Sequence, residues 1–206
     1  MNKTNSSAHF FFDWAKARID EMDATLTSLE GKSGAMQAET RAKADRFIAD
    51  LKEKREEFDR KVKTQTEAAD DALDVAQARL EADWKGFQTE TSKYLETFGT
   101  GIGEQQAVFQ SQASAQMNAW RETADKLNAA GKEFAVERRR EIEEQVARMK
   151  ADAGAAETKL AELAKAGTES WNALNAALAE TRASFDLAHK AAREAFDRAT
   201  GRDADK

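Results

Sequence analysis

The sequence contains no cysteine and no proline. The first absence excludes disulfides, thiolate metal ligands and thiol nucleophiles. The second means that no residue forbids a helix by ring geometry or by a missing N–H. Strand formers are also scarce, with a single tyrosine and with valines and isoleucines scattered one at a time. No apolar run reaches the roughly 18–20 residues that a membrane span requires. The opening stretch ends on Phe10, Phe11 and Phe12, but Asp13 interrupts it. A secretory signal is therefore not expected, and a cytoplasmic location fits. An excess of positive charge is lacking as well. The formal net charge is −6, with acids and bases interspersed, whereas a nucleic-acid binder presents a basic face without matched acids.

What remains is rich in Ala, Glu, Lys, Arg, Asp and Gln, and 34% of the residues are charged. That is the composition of long helices and coiled coils, so the chain is read as all-α. Apolar residues recur at spacings of three and four. Phe12, Ala15, Ile19, Met22, Leu26 and Leu29 form one such stripe. Ile48, Leu51, Phe58, Val62, Leu73, Leu80, Trp84 and Phe87 form another. After residue 103 the pattern resumes through Phe109, Trp120, Leu127, Ile142, Val146, Met149, Leu160, Trp171, Leu174, Leu178, Phe185 and Phe196. Arg55 and Gln65 occupy stripe positions where an apolar residue is expected.

Three of the ten glycines fall within Gly99–Gly103, near the midpoint. Glycine weakens helices and tolerates left-handed backbone, so the chain is expected to reverse there. The fold expected is a long antiparallel helical hairpin or coiled coil turning at Gly99–Gly103. Gly31–Gly34 offers a second corner that would shorten the rod. Residues 1–7 are read as a flexible N-terminus, residues 8–200 as one elongated domain with arms 8–98 and 104–200, and residues 201–206 as a disordered tail. About a centre near residue 101, Phe185 faces Ala15 and Ala17, Trp171 faces Gly31 and Gly34, Phe47 faces Gly154–Ala156, Phe134 faces Ala68 and Ala69, and Trp84 lies near Trp120. Each arm would be about 135–145 Å long. Such a hairpin buries one stripe per helix, which offsets chain entropy poorly. Self-association into a homodimer is therefore expected, unless the arms bend at Gly31–Gly34, Gly131 and Gly154 into a shorter bundle.

The residues give little support to catalysis. Asp186-Leu187-Ala188-His189 imitates the carboxylate-x-x-His spacing of di-iron bundles, but it occurs once and such a site needs it twice. His189 is read as a helix-surface residue. Gly31-Lys32-Ser33 lacks the earlier glycine of a phosphate loop, and there is no G-x-S-x-G. No enzyme activity, cofactor, metal or small-molecule substrate is expected. Two clusters are candidate surfaces. Arg55, Arg60, Lys61 and Lys63 would lie across the hairpin from Arg138, Arg139 and Arg140 as a basic band, although Glu56, Glu57, Asp59, Glu143 and Glu144 stand at i,i+4 spacing to several of them. Phe10, Phe11, Phe12 and Trp14 either plug the open end of the hairpin against Phe185 and Phe196 or anchor the chain on a membrane, a lipid granule or a protein.

The stretch Lys159-Leu160-Ala161-Glu162-Leu163, followed by Ala166, Trp171, Leu174, Leu178, Phe185 and Phe196, resembles small bacterial coiled-coil stress-response proteins. The whole-chain composition resembles that of phasins, the helical proteins that coat polyester storage granules. The first resemblance implies a non-enzymatic scaffold or stress protectant. The second implies a peripheral coat that binds a lipid or polyester granule through amphipathic helices. Neither brings catalytic residues to this chain.

Overall fold

In the computed structural model, which describes residues 5–65, 70–99, 101–166 and 171–201, the chain is all-helical as its composition requires. Six helices follow one another: α1 (Asn5–Ser33), α2 (Ala38–Lys63), α3 (Asp70–Phe98), α4 (Ile102–Gly131), α5 (Val136–Ala166) and α6 (Trp171–Thr200). The expected reversal lies between α3 and α4, and the corner at Gly31–Gly34 is present between α1 and α2. Left-handed glycine makes neither turn among the described residues, where Gly201 is the sole glycine with positive φ. Gly101 instead caps α4 in extended conformation. Gly99 matters for space: a Cβ there would sit 2.4 Å from the Leu95 carbonyl oxygen. Residues 5–7 of the expected flexible start lie within α1. The expected flexible start and disordered tail fall largely on residues 1–4 and 202–206, outside the described residues.

Each arm is divided further. α2 ends at Thr64, whose N–H donates to Arg60 O, and α4 ends at Lys132, whose N–H donates to Ala129 O. Neither end carries a proline; the last residue of α4 is Gly131, one of the expected bend points, and α2 ends without a glycine. Gly154, which was expected to weaken a rod, lies inside an unbroken α5.

The two halves repeat one motif. At the α1–α2 turn, Arg41 reaches back and donates to Gly34 O and Met36 O at 2.5 and 3.1 Å. At the α4–α5 turn, Arg139 donates to Lys132 O and Phe134 O, both at 3.1 Å. The backbone bonds around the two turns also match, Met36 N to Ser33 O answering Phe134 N to Gly131 O. All of these pairs are 98 positions apart. At the same offset, seven buried residues are identical: Phe11/Phe109, Ala15/Ala113, Thr25/Thr123, Leu29/Leu127, Leu80/Leu178, Phe87/Phe185 and Phe98/Phe196. Helices α1–α3 and α4–α6 are therefore two copies of an up-down-up unit.

The units pack chiefly through α1 against α4. Three bonds show that these helices are antiparallel: Lys126 to Asp13, Lys16 to Glu122 and Gln112 to Thr25. The pairs centre near Asp20 and Asn118, which are equivalent positions in the two repeats. α6 also packs on α1, running antiparallel to it.

Those contacts revise the predicted register. It survives where α6 lies on α1, and there Phe185 does come to Ala17 beside a common cavity. Elsewhere the extra reversals remove it. Trp171 donates to Ser92 on α3 at 3.1 Å and does not cover Gly31–Gly34. Phe47 packs on Phe98, and Phe134 packs on Phe196. Ala68 and Ala69 lie outside the described residues. Trp84 and Trp120 contact different residues of α6, Arg182 and Phe185 respectively.

Candidate functional site: a polar seam between the repeats

Each helix carries an apolar stripe, and the stripes meet in one core that includes Trp14, Trp84, Trp120, Phe58, Phe87 and Phe109. Charged and polar residues would be expected outside this core, because burying them unpaired costs several kcal/mol. Yet Asp13, Arg18, Glu21, Thr25, Gln112, Arg182 and His189 are buried. All seven lie between the two repeats.

The centre of this seam is a pair of ion pairs around Trp84. Arg182 on α6 forks onto Glu21 on α1, with Nη2 to Oε1 at 2.6 Å and Nε to Oε2 at 3.2 Å. Arg18 on α1 donates through Nη2 to Asp186 on α6 at 2.6 Å. Its Nε lies 3.8 Å from Glu81 on α3. The amide of Gln88 is oriented so that its oxygen accepts from Arg182 Nη2 and Nη1 at 2.8 and 2.9 Å. Both guanidinium groups stack near the Trp84 ring, at 5.8 Å for Arg18 and 5.2 Å for Arg182. Arg18 also lies 5.4 Å from the Trp14 ring. Arg18 is 2% exposed, Glu21 0% and Arg182 6%. A planar guanidinium suits this site because it forks onto a carboxylate and stacks on an aromatic face at once.

The seam continues on both sides of this centre. Thr25 and Gln112 are hydrogen-bonded at 2.8 Å in the interior. Lys126 donates to the buried Asp13 at 2.8 Å. His189 stacks on Phe185 and meets Phe10 edge-on. Burial first, then the positive charges of Arg18 and Arg193 and the nearby His9, push its pKa down to about 3. It is therefore neutral near pH 7. The surface reading of His189 is thus corrected: the aromatic end of the bundle encloses it. Asp186, three residues earlier, turns to Arg18, so the two do not converge on one ligand position.

The predicted aromatic cluster lies in the same region. Phe10, Phe11 and Trp14 are buried, and Phe12 is partly buried. Phe10 packs edge-on against Phe196 at 5.6 Å. The basic residues are divided between the repeats, since α2 packs on α1 and α3 and α5 packs on α4 and α6. Arg55 binds Asp23 through two bonds of 2.7 and 2.8 Å. Lys61 pairs with Glu57 and Asp83, and Lys63 pairs with Asp59. Arg139 closes its turn, and Arg140 lies 3.7 Å from Glu144. Arg60 is exposed. The side chain of Arg138 lies outside the described residues.

The small cavity beside the seam, lined by Ala17, Glu21, Gln116, Trp120, Thr181 and Phe185 among others, has a volume of about 10 Å³. That is the room of a single water. Among the described residues, no group of three or more Asp, Glu or His side chains is placed to hold a metal ion. No helix among them is long and apolar enough to cross a membrane. Comparison with family models, with curated proteins and with solved structures finds no match.

Proposed function

We propose that this protein is a non-enzymatic store of amphipathic helices that opens to coat an apolar surface in water, such as a lipid droplet or polyester granule. The observation that carries this reading is the polar seam. Six helices of 26–31 residues turn their apolar faces into one core, and that core is interrupted by buried ion pairs along a single plane. A buried ion pair contributes little net stability, because desolvation offsets most of the Coulomb attraction. A bundle built this way gives up closed-state stability and keeps long apolar faces in reserve. The closed exterior is polar, with Val75, Val136 and Leu187 as its exposed large apolar side chains among the described residues. Binding to an apolar surface through the core faces thus requires opening. The four tryptophans, Trp14, Trp84, Trp120 and Trp171, are all buried and report it.

Flotation with triacylglycerol emulsions and with phosphatidylcholine vesicles tests the coat and separates a droplet surface from a bilayer. The protein floats with one of them, and its tryptophan emission changes on binding. Failure to float with either contradicts the proposal.

A second reading, a self-associating scaffold or stress protectant, draws on the repeat. α1 packs against its own equivalent α4, so the same face is shaped to meet α1 of another copy. Sedimentation equilibrium distinguishes this reading, which requires dimers at micromolar concentration.

A further inference from the structure

We infer that the bundle opens between its two repeats, with the Arg18–Asp186 and Glu21–Arg182 pairs as the latch, while each three-helix unit stays folded. The inference rests on the coat reading and adds where the protein opens and what holds it closed.

The distribution of polar contacts supports it. Contacts that join helices within a repeat have exposed or half-exposed partners: Lys150–Asp125, Lys159–Glu180 and Arg121–Glu157 in the second, Arg55–Asp23 and Lys61–Asp83 in the first. The facing surfaces behind them are apolar, as where Ile142 meets Gly131. Contacts that join the repeats include the fully buried Glu21–Arg182 pair, the interior Thr25–Gln112 bond, and bonds from the buried Arg18 to a half-exposed Asp186 and from a half-exposed Lys126 to the buried Asp13, with Lys16–Glu122 and Arg193–Asp74 at the surface. On opening within a repeat, mainly apolar surface would be exposed, and the buried polar links that break are fewer: Gln116 to Leu178 O between α4 and α6, and Arg18 near Glu81 between α1 and α3. Separation of the repeats rehydrates two guanidinium groups and their carboxylates, and this offsets part of the apolar exposure. The seam is thus a plane along which separation returns buried charge to water. It is also the plane whose opening uncovers α1 and α4, the two helices at the centre of the core.

The absence of native cysteine allows a direct test with a short bismaleimide. Lys16→Cys with Glu122→Cys links the repeats across an exposed pair at 3.1 Å. Asp125→Cys with Lys150→Cys links α4 to α5 within one repeat across an exposed pair at 2.8 Å. The link between repeats is expected to abolish flotation, and the link within the repeat to leave it intact. Flotation that survives the first link, or is lost equally with both, overturns the inference. Lipid-free protein gives a separate readout. In native-state hydrogen exchange, the link between repeats should slow the most protected amides of α1 and α4 at least about tenfold more than the link within the repeat. Equal slowing overturns the latch even where flotation is normal. If the unlinked protein does not float, the coat reading falls and the exchange result alone decides the latch. The double variant Glu21→Leu/Arg182→Met checks the role of the charges. Apolar replacement of a buried pair tightens closure, so vesicle clearance should slow about tenfold, and unchanged or faster clearance contradicts it.

Discussion

Glu21 and Arg182 show how much depends on a single buried side chain. Removing one partner strands the other charge in the core, so Glu21→Ala is expected to cost about 3–5 kcal/mol in urea unfolding. Glu21→Leu with Arg182→Met, which removes both charges, should recover most of that loss. A double variant as unstable as Glu21→Ala alone would contradict a desolvated pair. His189 makes stability depend on pH. Its folded pKa of about 3 lies below the ordinary value of 6.5, so the unfolded chain binds more protons between those values. Stability attributable to His189 is full above pH 6.5 and declines as pH falls toward 3, with a slope approaching about 1.4 kcal/mol per pH unit. Asp186 acts in the opposite sense. Burial raises its pKa above 3.8, although the Arg18 charge pulls against this, so its desolvation penalty is relieved as pH drops through its folded pKa. His189→Phe should flatten the stability profile between pH 6 and 4.5, measured by urea midpoints. A profile of unchanged slope contradicts a buried neutral histidine.

At the scale of helices and turns, the glycines separate by what surrounds them. A Cβ on Gly131 would meet Ile142 Cγ2 at 2.9 Å where α4 crosses α5. Gly131→Ala should therefore cost about 1–3 kcal/mol by overpacking. Gly154 lies inside α5 with nothing within 4 Å of an added Cβ. Gly154→Ala should add about 0.5–1 kcal/mol, because alanine loses less backbone entropy in a helix. Thermal melts distinguish the two, and the same sign for both would contradict the packing described. Arg41 and Arg139 make the same pair of carbonyl contacts at equivalent turns. Their alanine variants should lose similar stability, about 1 kcal/mol each.

This scale also shows what could be read from the sequence. The apolar stripes from Phe12 to Leu29 and from Trp171 to Phe196 correspond to α1 and α6, because a 3.6-residue period leaves a clear trace. The α3–α4 reversal is visible for a different reason, since Gly99 and Gly101 stand at adjoining helix ends. The end of α4 carried a weaker signal, since its last residue is Gly131, where a bend was expected, whereas the end of α2 left none: Thr64-Gln65 are ordinary helix residues. The seam was hidden because Arg18, Glu21 and Arg182 have the residue types of a solvated face. Trp14, Arg18, Glu21 and Thr25 follow one another at spacings of four, three and four, which is the trace a search for buried polar positions would have needed. The repeat was available in Arg41 and Arg139 and in three Phe pairs at the same offset, but the identities that accompany them are scattered, and many are Ala, Leu, Glu or Lys, which are common throughout the chain.

For the whole molecule, the repeat replaces one long rod by two short units. Helices of 26–31 residues are about 40–47 Å long. Small-angle scattering should give a maximum dimension of about 60–70 Å, against about 140 Å for an unbroken hairpin. The burial argument for a partner changes as well, since one chain now encloses its own apolar stripes. The central claim is that the two units part along the seam to deliver α1 and α4 to an apolar surface. Spin labels at Lys16→Cys and Glu122→Cys measure that step most directly, by the distance between α1 and α4 with and without emulsion or vesicles. The account predicts a single short distance in solution and a second, longer one by at least about 20 Å on the bound surface, since separated helices lie beyond the ~10 Å spacing of packed neighbours. A bound protein that keeps the short distance would contradict it.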